Sequence, residues 1–179
     1  TGIRLQSTAT GGVTYDLTSG SVLTSSTDAP IVSVALSKGD SDSIKNKPAL
    51  AFSEGTTYLA IASATIKDVD SNPVTAILTG NAKLADEYTV DAGSPSMSSF
   101  TFNLDTSTVI MNFDEPIQDD GLINLKKITF QSVQGASGSS YTLTGGTYTR
   151  ASDGLQITIT MTVGDVNALK AKDALATAA

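Results

Sequence analysis

The chain has 179 residues, 6% aromatic and 16% charged, with a formal net charge of −7 and no Cys, His or Trp. Those absences exclude disulfide stapling, thiolate catalysis, zinc sites built on Cys or His, and the usual general base; an acidic chain without a cluster of Lys and Arg is also unsuited to nucleic acid. No apolar run reaches the roughly 18 residues of a membrane span, and no signal peptide is visible.

Apolar residues recur with a period of two along most of the chain, the spacing of strands with one face in a core and one in water. Val32-Ser33-Val34-Ala35-Leu36 alternates in this way, and a short helical piece from Asp40 through Ile44 and Lys45 follows it. Residues 58–66 and 74–78 form a strand pair around the turn Asp68-Val69-Asp70-Ser71-Asn72-Pro73. The stretch 76–95 carries Gly80, Asn81, Asp86, Asp91, Gly93 and Pro95 and is expected to be the interdomain connection. Phe100, Phe102 and Leu104 alternate before a turn at Asp105-Thr106-Ser107-Thr108, and Val109, Met111 and Phe113 alternate after it, which reads as a hairpin. Ile128-Thr129-Phe130 and Tyr141-Thr142-Leu143 are shorter strands around a Gly/Ser-rich loop. Residues 155–163 alternate strictly, placing Leu155, Ile157, Ile159, Met161 and Val163 on one face. A second helical piece, residues 164–170, has Asp165 as its expected N-cap and Val166 and Leu169 three apart on one face. Short strands with turn residues between them, about seven per domain, predict an all-β chain of antiparallel β-sandwiches, each with a short crossover helix.

The chain also repeats itself. Ile3-Arg4-Leu5-Gln6-Ser7 returns as Ile128-Thr129-Phe130-Gln131-Ser132, an offset of 128 − 3 = 125, and Tyr15-Asp16-Leu17-Thr18 returns as Tyr141-Thr142-Leu143-Thr144 at 126. From Asp28 and Asp153 onward the offset is again 125, and Gly39 to Ala51 matches Gly164 to Ala176 at 7 of 13 positions. A period of that length exceeds the units of about 20 to 50 residues found in solenoids, so each copy is expected to be a domain. The equivalences predict that Leu36 matches Met161 and Ile44 matches Leu169, all four buried.

Met111-Asn112-Phe113-Asp114-Glu115-Pro116-Ile117, then Ile128-Thr129-Phe130-Gln131, then the alternating stretch 155–163 resembles the bacterial-type Ig-like domains, S-layer and adhesin-like, found in tandem in giant cell-surface proteins. Such modules close with a segment similar to Tyr58-Leu59-Ala60-Ile61 through Ile66-Lys67-Asp68-Val69-Asp70-Ser71-Asn72-Pro73-Val74, except that Ser71 stands where the family usually has Gly. The resemblance implies tandem Ig-like sandwiches and no one ligand. In the family's order a whole domain would start near Ser94 and end with the strand near Val74. Residues 1–93 are therefore expected to be a repeat incomplete at its N-terminal side, lacking the equivalent of 94–127. Residues 94–179 are expected to be one incomplete at its C-terminal side, lacking the equivalent of 55–93. A chain that begins at Thr1 without Met reads as a piece of something longer, and unpaired sheet edges are expected to be completed by neighbouring segments.

Carboxylates are the chemistry-bearing groups present in quantity. Asp68, Asp70 and Asn72, two apart on a turn, have the oxygen ligands that calcium takes, and Asp114, Glu115, Asp119 and Asp120 form a second acidic group. Asx residues also populate turns because they bond their own backbone, and the spacing matches no EF-hand loop. Paired carboxylates can hydrolyse glycosides, but no Trp is present to hold a sugar. Lys45, Lys47, Lys170 and Lys172 recur in both copies as solvated helix flanks, and Gly11-Gly12 and Gly145-Gly146 are turn glycines with no Walker-type Gly-Lys-Ser/Thr after them. The expectation is a non-enzymatic structural repeat of a long extracellular or cell-surface protein or filament, without a resident cofactor unless calcium is held at Asp68, Asp70 and Asn72. Its partners would be further copies of the repeat, with O-linked glycans open on the many hydroxyls and no Asn-X-Ser/Thr sequon for N-linked ones. A calcium-dependent adhesin or carbohydrate-binding module is the alternative.

Overall fold

The computed structural model describes residues 2–24, 30–119, 121, 123–135, 137–172 and 174–175; Asp28, Asp120 and the Ala176 end of the longest repeat match lie outside them. The chain is mostly antiparallel β-sheet with two short helices, and it divides into two compact units, Thr1–Ser94 and Pro95–Ala179.

In the first unit β1 (Ile3–Thr8) turns into β2 (Gly11–Asp16), and β3 (Val22–Leu23) pairs with β4 (Val34–Ala35). Helix α1 (Lys38–Lys45) follows, then β5 (Tyr58–Ile61) and β6 (Lys83–Leu84). One sheet has the order β2-β1-β5-β6, and β3-β4 forms a separate two-stranded sheet. The expected partner of β5 at 74–78 is reduced to a single bridge between Ile61 and Ile77, with a second bridge, Lys67 to Pro73, closing the turn between them.

The second unit opens with β7 (Met97–Asn103) and β8 (Thr108–Phe113), the hairpin expected from the alternation. Then come β9 (Thr129–Gln131), β10 (Ser140–Thr142), β11 (Thr147–Arg150), β12 (Gln156–Thr160) and helix α2 (Val163–Lys170). Here the four-stranded sheet is β11-β12-β8-β7 and the pair is β10-β9.

Two hairpins of the first unit pair in the same registers as two hairpins of the second. In β1/β2, Arg4, Leu5 and Gln6 face Asp16, Tyr15 and Thr14; in β9/β10, Thr129, Phe130 and Gln131 face Thr142, Tyr141 and Ser140. Every pair is related by the offsets 125 and 126. In β3/β4, Val22 and Leu23 face Ala35 and Val34, and in β11/β12, Thr147 and Tyr148 face Thr160 and Ile159, all at 125. Even a cross-strand contact has been replaced in kind: Arg4 and Asp16 form a two-bond salt bridge where Thr129 and Thr142 share a hydroxyl–hydroxyl bond of 2.8 Å. The units differ in which sheet is whole. The first carries β5 and β6 on its β1/β2 pair, and the second carries β7 and β8 on its β11/β12 pair.

Four expectations need correction. The stretch 155–163 is a strand only over 156–160; Val163 opens α2 and is exposed, because Thr162 caps the helix there, its side chain accepting from the Asp165 N–H. Asp165 is thus the third helical residue and not the N-cap. Residues 76–86 are not connection, since Ala82 is buried, its N–H donates to the Ala9 carbonyl, and β6 pairs with β5. Beyond them the Tyr88 hydroxyl still donates to the Ala51 carbonyl, and Lys45 reaches Asp91 at 2.8 Å, so the connection shrinks to the few residues around Gly93. Leu36, finally, is exposed although its counterpart Met161 is buried.

The core of the second unit is one cluster. Val109, Ile157 and Ile159 from the four-stranded sheet pack with Leu125, Leu143, Met161, Val166, Leu169 and Leu175, so the sheet, the β9/β10 pair and α2 share one interior. Phe102 of β7 and Phe130 of β9 pack with ring centroids 4.9 Å apart and planes tilted by 49°. In the first unit the matching positions Leu17, Ile44 and Leu50 are buried as Leu143, Leu169 and Leu175 are.

Candidate functional site

A buried carboxylate recurs at the centre of both copies. Asp40 on α1 accepts from the Tyr15 hydroxyl at 2.7 Å, from the Thr18 N–H at 3.2 Å and from the Ser21 hydroxyl, so both of its oxygens are occupied. Asp165 on α2 accepts from the Tyr141 hydroxyl at 2.8 Å and from the N–H and hydroxyl of Thr144 at 3.0 and 2.8 Å, all on one oxygen. Its other oxygen, Oδ2, is buried and has no hydrogen-bond partner among the described residues.

The difference follows from one residue of loop length. Between the matched positions Thr18/Thr144 and Val22/Thr147, the first copy has Ser19-Gly20-Ser21 and the second only Gly145-Gly146. Ser21, which bonds the second oxygen of Asp40, has no counterpart. The shorter loop closes through Gly146 at φ 127°, where a Cβ would sit 2.5 Å from the Thr160 carbonyl oxygen.

Both carboxyls are pushed up by burial, the largest influence on each, yet the donors outweigh it. Asp40 is held well below the usual carboxylate range, and Asp165 is lowered to about 2. The two side chains are fully buried. Each therefore works as an ionised pin, tying its helix to the strand and loop that precede it. Sequence reading took Asp165 for a cap and missed the pin. The legible signal was the joint recurrence of Tyr15, Thr18 and Asp40 as Tyr141, Thr144 and Asp165.

The acidic turn is of another kind. Asp68 accepts from the N–H of Asp70 at 3.0 Å and of Asn72 at 2.8 Å, and from the Asn72 side-chain amide at 3.0 Å. These donors, the Asn72 side chain first, lower the pKa of this exposed group. The turn is a self-bonded Asx turn with Ser71 at φ 68°, the left-handed position for which the resembling family uses Gly. Asp68, Asp70 and Asn72 are thus close together, with Asp68 oriented toward its own backbone. Of the second acidic group, Asp114 accepts from the Ser96 N–H at 2.7 Å and Asp119 from the Tyr148 hydroxyl at 3.4 Å. Among the described residues no group of three or more His, Cys, Asp or Glu side chains is placed to hold a metal ion. Lys45 is taken up by Asp91, whose pKa that contact lowers.

The remaining feature is a strand edge. β12 lies between β11 and β8, whereas its counterpart β4 has β3 on one side and, among the described residues, no strand on the other. Its flanking apolar residues lie open: Val32 is 43% exposed against 1% for Ile157, and Leu36 is 45% against 4% for Met161. The reverse deficit marks the second copy. Gln6 is buried, with its amide donating to the carbonyls of Thr8, Ala9 and Thr79, while the matching Gln131 is exposed.

No family model, curated protein or solved structure matches the chain. No helix among the described residues is long and apolar enough to cross a membrane.

Proposed function

We propose that this chain is a non-enzymatic structural repeat of a long extracellular or cell-surface protein or filament, a spacer, stalk or filament wall made of tandem Ig-like antiparallel sandwiches. The observation that carries the reading is the complementary incompleteness of the two units. One displays β2-β1-β5-β6 whole and the other β11-β12-β8-β7 whole, each beside a two-stranded remnant of the sheet its neighbour completes. Overlaid through the shared hairpins, the two four-stranded sheets would make one eight-stranded, two-sheet module with a period of 125 residues. Repetition of one module supplies length, and ladders of backbone hydrogen bonds that break together supply resistance to load.

The chemistry agrees. The carboxylates with perturbed pKa values that recur in both copies are buried and ionised at neutral pH, which suits pins and not a general acid reachable by substrate. The intact mass of the native protein, together with antibody labelling of unpermeabilised cells, tests the reading. A mass of several periods on a labelled surface is expected; a single-period protein confined to the cell interior overturns it.

A further inference from the structure

We propose that the free edge of β4 is an acceptor for a β7–β8-type hairpin, supplied by the segment of the repeat that stands directly N-terminal to β1, as β7–β8 stands N-terminal to β9. The inference rests on the tandem-repeat reading and adds what the repeats do to one another.

The second unit shows what covers this edge and in which register. There Ile157 faces Met111 and Ile159 faces Val109 across β12 and β8. The ladder is closed by the Phe113 N–H donating to the Leu155 carbonyl and the Met161 N–H to the Ser107 carbonyl, both 2.9 Å. By the constant offset, Val32 and Val34 stand where Ile157 and Ile159 stand, and Leu36 where Met161 stands. Hydrogen bonding alternates along an antiparallel strand, so the N–H groups of Val32, Val34 and Leu36 point away from β3, to the side where no strand lies among the described residues. The Ser33 carbonyl points the other way and accepts from the Thr24 N–H of the β3 side. The first unit therefore presents a row of backbone donors flanked by aliphatic side chains, in a register already realised once in the same chain. A strand with the pattern Val-X-Met-X-Phe, as in Val109, Met111 and Phe113, fits both the row and the side chains.

A fusion tests this directly. Because Lys127 is equivalent to Gly2 (127 − 125 = 2), a second copy of residues 95–127 joined ahead of Ile3 in the full chain places the added hairpin in native order. Amide exchange at Val32, Val34 and Leu36 should slow by more than about tenfold relative to the unfused chain. Val109→Asp with Met111→Asp in the added segment alone should abolish that protection while the amides of β12 stay protected as before. Should the fusion fold poorly, a peptide of residues 95–114 titrated onto the unmodified chain reads the same three amides. Unchanged exchange in both fusion and peptide-saturated chain overturns the proposal. So does an unmodified chain that dimerises with these amides already protected, since the occupant is then the edge of a second copy. Neither result touches the mass and surface labelling of the native protein, so the repeat reading stands or falls separately.

Discussion

Asp40 and Asp165 sit at matched positions, yet their oxygens are used differently, and the difference predicts unequal responses to one substitution. In Asp40→Asn one donor-bearing nitrogen must face either the Tyr15 hydroxyl or the Ser21 hydroxyl, with the Thr18 N–H lying 3.2 Å from both oxygens. Either hydroxyl can turn to accept from the nitrogen, but the Thr18 N–H cannot, so one donor is set against another in a buried site, at a cost of about 1–3 kcal/mol. In Asp165→Asn the oxygen can keep all three donors on one side while the nitrogen takes the place of the partnerless Oδ2. Urea midpoints should therefore fall for both variants, and further for the first than for the second. A larger loss for Asp165→Asn would mean that its Oδ2 has a partner. The pH dependence has a definite sign. With Asp165 lowered to about 2 and Asp40 lowered as well, the unfolded carboxyls, near about 3.9, take up protons first. The stability both groups contribute is fully present above about pH 5 and is lost as the pH falls through 4 toward 2. Midpoints should be level from about pH 5 to 7 and drop below about 4, less steeply in Asp165→Asn. The matching Tyr, Thr and Asp were visible in the repeat. Their convergence was not, because it depends on which way two loops of different length turn.

The helices show where a strand pattern and a helix cap are written in the same letters. Residues 155–163 alternate to the end, since Thr162 fills a polar strand slot and Val163 an apolar one. Thr is also a good N-cap, and here the cap prevails: the Thr162 hydroxyl accepts from the Asp165 N–H at 3.0 Å, as the Ser37 hydroxyl does from Asp40 at 3.1 Å. Period alone cannot choose between these readings. The choice is made by burial of Val166 and Leu169 on the face of α2 that meets the cluster. Ser37→Ala and Thr162→Ala should each lose about 1 kcal/mol of stability in the unit concerned. Equal stability of variant and parent in urea unfolding would show that α1 and α2 are held by the Asp pins alone. The β7/β8 hairpin, by contrast, is legible in outline, because its apolar positions alternate on both sides of one compact turn, which falls at 104–107, one residue earlier than the alternation places it. The weak pair at 74–78 was over-read from the same kind of alternation, and only Ile77 bridges back to β5.

At the scale of the whole chain the repeat is the strongest signal in the sequence, and β1/β2 and β9/β10, like β3/β4 and β11/β12, pair in matching registers. What composition left open was a stabilising ion. Because Asp68 is engaged by its own turn, EDTA or millimolar calcium should leave the melting temperature unchanged. A site filled at 100 times its Kd would add about 2.7 kcal/mol, so a clear shift would restore calcium at Asp68, Asp70 and Asn72. The units should also differ in stability. Buried apolar side chains in the second form one cluster spanning both of its sheets and α2, whereas those described in the first are Leu17, Ile44, Leu50, Ala60 and Ala82, two of them no larger than a methyl group. Val32 and Leu36, whose counterparts lie inside the cluster, contribute little while open, and full burial of such a side chain contributes about 1.5–3 kcal/mol. The first unit is therefore expected to unfold at lower urea than the second. Hydrogen exchange followed by mass spectrometry along a urea series resolves the order: amides of β1 and β5 should lose protection before those of β8 and β12. Loss in the opposite order, or a single joint transition, would mean that the open edge of β4 costs the first unit nothing.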